Sequence, residues 1–421
     1  MISYHIVKPT QILPEESVAA RALGGGRPAT ARSFRLHRPR AGCCGAGWCD
    51  QCGADPATGD PLCQTPTGAA VPTTRDPLRA LGLAAEHQSP WFWEKRLLRP
   101  RRLRDTYLHT VRRLSSAPGL PPAPADAPPA FRSLEVDVLH VGDPTHADPG
   151  THIVDAARGE VAFGIYADGV VGVTAPGEVL EIACRRLVVA TGAYLRLPPI
   201  PGNDLPGVLS VDAIRAYRSQ GADLSRLRVA AVAPAERTDA TRAALDGLQV
   251  VDLSSELPEA VTGRGRVQGI RRAGREIACD ALVLALDQPA VELALLAGAR
   301  GVLSDGPLPV VLAEDLPDWV ELRGRAAERP ALPGCRADPD AFACPCEDVR
   351  VRDLCAAVDG GLHDVELIKR RTGAMTGPCQ GKLCQGAVLT ALRDLGVTPK
   401  PITPRPFAQL TRLADLACAD A

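Results

Sequence analysis

The apolar and polar positions divide the chain into stretches of different period. From Ser133 to about Gly334, strand-like apolar runs (EVDVLHV, RRLVVATG, LRVAAVA, LQVVDL and DALVLAL) alternate with helical ones such as TRAALDGL. That alternation predicts an α/β domain built on a largely parallel sheet. After the loop-like stretch RPALPGCRADPDAFA come three segments with helical spacing, VRVRDLCAAVDGG, LHDVELIKRRTG and QGAVLTALRDLG, which predict a small helical domain. At the other end, residues 1 to about 75 mix short strand-like pieces with one helical stretch, PEESVAARAL. There Val18 and Ala22 share a face, and Glu15 and Glu16 lie where a helix dipole favours acids. The segment SPWFWEKRLLRPRRLRDTYLHTVRRL reads as amphipathic helix broken at Pro100, with eight Lys or Arg against two acids between Trp91 and Arg113. Six of the fourteen residues from Ala117 to Ala130 are proline, an extended spacer that marks a domain boundary.

Composition narrows the function. The 421 residues carry 48 Lys and Arg against 49 Asp and Glu, so no global field draws nucleic acid or an anionic membrane surface. The basic stretch near Arg102 is expected to be a solvated face or a docking surface for an acidic partner, and with 4% aromatic residues no nucleic acid partner is expected. The most apolar run, ALVLALDQPAVELALLAGA, is interrupted by Asp287, Gln288, Pro289 and Glu292, so no membrane span is expected. The opening MISYHIVKPTQILPEE lacks the pattern of an export signal, which predicts a cytoplasmic chain beginning near Met1. No H-E-x-x-H, G-x-S-x-G or P-loop pattern occurs, and no acid-base catalytic residue is expected.

Fourteen cysteines in such a chain point to metal rather than disulfides. The first group parses as Cys44-x4-Cys49-x2-Cys52-x10-Cys63, the plant-type ferredoxin arrangement around a 2Fe-2S cluster. Gly45 and Gly47 allow the tight turns and close backbone approach such a loop needs. Cys43 reads as a neighbour and not as a ligand. The second group is Cys344-x-Cys346 followed, after 32 intervening residues, by Cys379-x4-Cys384. Gly377 and Gly381 again permit close approach, the following helix can aim its dipole at an anionic cluster, and Lys369, Arg370 and Arg371 are candidates to lie near that charge. Zinc is the alternative at both groups, since four thiolates also suit it. Cys355 reads as a core residue of a helix.

The chain resembles the large subunit of heteromeric amine and amino-acid dehydrogenases, a family that includes the sarcosine oxidase alpha subunit and its relatives in hydrogen cyanide synthase, opine oxidase and hydroxyproline dehydrogenase. The resemblance is carried over nearly the full length by RSFRLHRPRAG, RPRRL, GIYADG, RRLVVATGA, LPGVLSVDAIRAY, FACPCEDV and KRRTGAMTGPCQGKLC. It implies a multi-subunit oxidoreductase in which a D-amino-acid-oxidase-like FAD partner oxidises a C-N bond, while this large subunit passes electrons to an acceptor. The implied layout is an α+β ferredoxin-like (β-grasp) domain at 1–85, a basic helical segment and linker at 86–132, a degenerate α/β dinucleotide-binding-like domain at 133–334, a bacterioferritin-associated-ferredoxin-like 2Fe-2S domain at 340–396, and a tail at 397–421.

The dinucleotide signals depart from that family. Where G-x-G-x-x-G would follow the first α/β strand, this chain has Gly142-Asp-Pro-Thr-His-Ala, with Pro144 and Ala147 at the second and third glycine positions. Only eighteen residues separate Gly142 from Val161, too few for a crossover helix, a second strand with its ribose-binding acid and the remaining FAD contacts. Ala190, Thr191 and Gly192 form the surviving ATG signal, the only sequence basis for a retained FAD and for a rival reading as a catalytic flavoprotein. A second strand-helix-strand unit ends at Asp252, a candidate acid for the ribose of NAD, but its turn holds no glycine between Val229 and Asp246. A structural turn is therefore expected in preference to bound NAD. The expected function is a two-cluster electron relay, with any flavin at a subunit interface; a zinc-binding assembly scaffold is the rival of another class.

Overall fold

The structure, a computed structural model, describes residues 18–33, 36, 38–45, 102, 106, 128–166, 169–303, 309–328, 334–377, 379–398, 400, 403–405, 407, 408 and 416. Cys49, Cys52 and Cys63, the basic stretch apart from Arg102 and Thr106, and most of the 397–421 tail lie outside these residues. Of the expected β-grasp domain, the described part is a helix, Val18–Gly24, and an antiparallel pair of two-residue strands, Ala31–Arg32 and Pro39–Arg40.

The region 133–334 is built on two sheets. In the first the strand order is His152–Val154, Ala130–Gly142, Glu178–Ala190, Val170–Ala175, Val161–Tyr166. The long strands 130–142 and 178–190 run parallel along their whole length. The other edge of 178–190 is shared: the antiparallel hairpin covers residues 178–183 and the strand Val320–Leu322 returns parallel to residues 187–189. Leu139, Val141, Ile182, Leu187 and Val189 fill the core of this unit. A three-residue 3-10 turn, Pro144–His146, stands where a crossover helix was judged absent. Of the elements that the eighteen-residue spacing cannot hold together, a short second strand is present, His152–Val154, parallel to residues 139–141. Replacing the helix by one turn frees enough chain to reach the sheet edge.

The second sheet, Gln249–Ser254, Arg228–Val232, Ala281–Leu284 and Val208–Ser210, is wholly parallel. Its central strands are buried and continuously apolar, as a sheet covered on both faces requires. The helices Val211–Ser219 and Thr238–Ala244 belong to this sheet unit, and an antiparallel meander, 260–278, is inserted before its third strand.

The C-terminal unit has the three expected helices, Val351–Asp359, Val365–Thr372 and Gln385–Asp394, and a short hairpin of Phe342–Cys344 with Val349–Arg350. The middle helix buries Val365, Ile368 and Thr372, one face at helical spacing. Asp364 caps its start by accepting from the Glu366 and Leu367 N-H groups, and left-handed Gly373 ends it. Residues 385–392 of the last helix are buried all round, so it forms the centre of the unit. This unit shares one apolar core with the second sheet. Among the described residues no helix is long and apolar enough to cross a membrane.

Candidate metal centre

Cys344 closes the first strand of the C-terminal hairpin, Cys346 follows it, Cys379 lies in the loop after the middle helix, and Cys384 caps the last helix. All four are buried, at 0%, 7%, 0% and 0% exposure. Their thiols interact in the series Cys344, Cys384, Cys379, Cys346, so the two pairs separated by 32 residues in sequence do meet. Cys379 is held well below the usual thiol range, first by hydrogen bonds from Cys346 and Cys384 and further by the backbone N-H groups of Leu383 and Gly381. The Met375 N-H points at Cys344 Sγ, 3.4 Å away. Among the described residues no three or more His, Cys, Asp or Glu side chains are grouped as ligands of one metal ion.

Backbone strain is concentrated around this quartet. Among the described residues, three of the four non-glycine residues with positive φ, Asp348, Met375 and Gln380, lie in its loops. Gly377 is required by close packing: a Cβ there would come within 2.7 Å of Cys346 Cβ. Arg370 and Arg371 are exposed on the last turn of the middle helix, and Lys369 pairs with Glu366 at 3.7 Å. The cations that reach the thiols are others. Arg40 Nη2 lies 3.7 Å from Cys346 Sγ, and Lys382, 3% exposed between Cys379 and Cys384, feels the Cys379 charge. Burial lowers the Lys382 ammonium, opposed by Glu292, whose own carboxyl burial raises. Tyr194 donates to Glu292 Oε2 at 3.0 Å, which ties this interior cation to the α/β region.

The segment leading to the first cysteine group is fastened to the second. Arg38 donates to Asp348 Oδ1 at 2.6 Å, to Asp204 Oδ2 at 2.8 Å and to the Pro345 carbonyl at 2.5 Å, and its guanidinium lies 3.9 Å from the centre of the Phe342 ring. The Leu36 N-H takes the other Asp348 oxygen at 2.9 Å. Asp348 is 1% exposed, so removing Arg38 would take a charged partner from a buried carboxylate. Beyond Arg40, Ser210 N donates to the Cys43 carbonyl at 2.8 Å and Ser210 Oγ to that of Cys44 at 3.4 Å. Gly45 has φ +69°, and a Cβ on it would approach Ala213 Cα to 2.7 Å, so the glycine expected on cluster grounds also serves packing on a helix start. Sequence reasoning passed over Arg40 and Lys382; their signals were the Arg four positions before Cys44 and the Lys inside CQGKLC.

Residues 343–394 match the BFD-like 2Fe-2S binding domain family, a span that contains all four cysteines. Over 85 residues the chain is 36% identical to the hydrogen cyanide synthase subunit HcnB of Pseudomonas aeruginosa, a match that spans 18% of this chain and 18% of that relative's length. The L-proline dehydrogenase from P. horikoshii shares the fold, with a TM-score of 0.57 at 18% identity over 68% of this chain and 80% of that one. These likenesses cover parts of the chain: its C-terminal unit is similar to a 2Fe-2S binding family, and an 85-residue stretch is similar to less than a fifth of the HcnB subunit. The chain's C-terminal unit is a 2Fe-2S binding domain, and buried thiols of which one is already biased toward thiolate suit that group.

The dinucleotide-like units of the chain look different. After Gly142 the Asp143 side chain accepts from the Thr145 N-H and hydroxyl, closing the turn on itself. His146 packs so closely on Gly324 that a Cβ there would meet its Nε2 at 2.6 Å, and Arg323 clamps the loop through Asp148 at 2.9 Å and the His146 carbonyl at 2.8 Å. No helix N-terminus is offered to a pyrophosphate, so these residues do not fit the phosphates of FAD in the usual way. Thr191 Oγ1 donates to the Ala290 carbonyl at 2.6 Å and the Ala190 carbonyl accepts from Asp143 N, so the ATG segment, ending in Gly192 at φ +77°, is engaged in holding neighbouring chain.

In the second sheet, Asp252 faces Arg272 at 3.0 Å. The turn after residue 232 runs through buried Ala233 and Pro234 into a 3-10 turn, so side chains stand where a dinucleotide phosphate would approach. A cleft of about 390 Å³ does open at the carboxyl ends of these strands, the usual ligand position in such sheets. Ion pairs lace it: Arg325 reaches Asp212 at 2.8 Å and Asp287 at 2.6 Å, and Arg237 pairs with Asp287 and Glu328.

Proposed function

We propose that the chain is the iron-sulfur electron-transfer subunit of a multi-subunit flavin-dependent amine or amino-acid dehydrogenase or oxidase. A D-amino-acid-oxidase-like FAD subunit is the electron donor, and two 2Fe-2S sites, Cys44/Cys49/Cys52/Cys63 and Cys344/Cys346/Cys379/Cys384, lie on the route to an acceptor. The observation that carries this reading is the buried, converging C-terminal quartet within a segment matching a 2Fe-2S family. The self-closed phosphate turns support it by leaving the α/β units as scaffold. A bound 2Fe-2S group supplies one-electron acceptance, which divides the electron pair held by a reduced flavin. The protein's own part is to keep water from the thiolates by burial and to direct N-H groups of Met375, Gly381 and Leu383 at sulfur.

Iron, acid-labile sulfide and extractable flavin per chain, measured on anaerobically purified protein, test the reading. About four irons, about four sulfides and no flavin are expected, two of each per cluster. Zinc without sulfide would overturn it, and stoichiometric FAD would make the chain a flavoprotein in its own right.

A further inference from the structure

We propose that Arg40 sets the reduction potential of the C-terminal cysteine site, and that the strap carrying Arg38, Arg40 and Cys43 is the physical link between the two cysteine groups. The proposal rests on the reading that this quartet holds a 2Fe-2S cluster. Arg40 and Cys346 are 306 residues apart in sequence, yet the guanidinium donates toward the sulfur. Arg38, two residues earlier, is latched by three polar contacts and a ring contact to Asp348, Asp204, Pro345 and Phe342, so the backbone carrying Arg40 is fixed.

One-electron reduction adds a negative charge to four thiolates and their irons. A guanidinium stays protonated at every relevant pH and favours the reduced state more than the oxidised one. Hydrogen bonds to cluster sulfurs and nearby charge are the levers by which a protein moves such a potential. Arg40 supplies both from outside the C-terminal unit. The strap continues to Cys43, which lines a small cavity together with Cys346, Arg38 and Arg40. Four residues of chain from Arg40 to Cys44 reach at most about 14 Å, so the first cysteine group starts beside the second. Its loop is held by Ser210, which takes the Cys43 and Cys44 carbonyls. The charge of Arg40 therefore acts on the C-terminal site from the same strap that carries Cys43 and Cys44.

The test is a potentiometric titration of the full-length chain with dithionite, followed by electron paramagnetic resonance. Cys379→Ser identifies the C-terminal signal by its loss. Arg40→Gln and Arg40→Met remove the charge by different routes, and either one that keeps its iron and sulfide can be read. The expected result is a lower midpoint for the C-terminal signal by a factor of about ten in the electron equilibrium, which is about 59 mV for one electron. Arg40→Lys, retaining the charge, should recover most of that shift, a rescue that a purely structural role would not predict. A full complement of iron and sulfide with an unmoved midpoint would overturn the role of Arg40 and leave the electron-transfer reading standing. Absence of iron and sulfide from the wild-type chain would overturn the electron-transfer reading, and the proposal with it.

Discussion

The C-terminal cysteine unit and the α/β region stand in opposite relation to their chemistry. In the first, every feature of the loops converges on the thiols: burial, N-H groups, a close-packed Gly377 and three residues held at positive φ. In the second, the positions at which a dinucleotide would bind are occupied by contacts of the protein with itself, Asp143 with Thr145, Arg323 with Asp148, and Arg325 with Asp212 and Asp287. Strand order and apolar cores survive in both sheets. A scaffold persists through its packing, whereas a ligand site persists only while polar groups are left free for the ligand.

The largest effect expected from breaking this contrast is at Cys379, the one thiol of the quartet held low in pKa. Cys379→Ser should remove the C-terminal cluster entirely, halving iron and sulfide from about four to about two per chain. Cys355→Ser, on a half-buried helical thiol that burial pushes up, should leave both unchanged. Equal losses in the two variants, read by metal analysis, would dissolve the distinction between ligand and core cysteine.

The two regions also differed in how far they could be read in advance. The three C-terminal helices and the quartet were legible because their signals are local: helical spacing of apolar residues, and cysteines two and five positions apart. The absent crossover helix was legible for the same reason, from Pro149 and Gly150 and the eighteen residues between Gly142 and Val161. The strand His152–Val154 was not, because three residues at a sheet edge owe their form to pairing with Leu139–Val141 and carry no periodicity of their own. Nor was the division of 133–334 into two sheets, since both sheets use similar apolar strands and differ only in partners. The Arg38 latch joins residues 310 apart, a tertiary fact that no window along the chain contains.

A smaller effect is expected at the laced cleft. Asp287 sits above the ordinary carboxylate range because burial outweighs the pull of Arg325 and Arg237. A carboxyl raised in the folded state contributes stability that is present at low pH and lost as pH rises through its folded pKa. Arg325→Ala removes one of the two guanidiniums that compensate Asp287, Arg237 remaining, and should destabilise the chain at neutral pH by less than the about 3–5 kcal/mol that a fully stranded buried charge costs. The deficit should shrink as pH falls through the raised pKa of Asp287, and denaturant unfolding over a series of pH values measures it. A deficit independent of pH would mean that the cleft is open to water and that its ion pairs do not seal the nucleotide position.

The smallest effect separates surface ion pairs from buried ones. Arg228 and Asp280 form a two-pronged pair at 2.9 Å on each arm, joining the starts of adjacent parallel strands, yet their side chains are 43% and 32% exposed. The Arg228 hydrogen bond lowers Asp280 below its ordinary 3.8, so the pair contributes stability above that value and loses it as pH falls through the lower folded pKa. Solvent screening at this exposure keeps the coupling small, although the two-pronged geometry favours it. A double-mutant cycle of Arg228→Met and Asp280→Asn should return a small favourable coupling at pH 7 that fades as pH falls through the lowered pKa of Asp280. A coupling as large as the loss at Arg325 would show that exposure does not govern these pairs, and the cleft network would then need no burial to account for its strength.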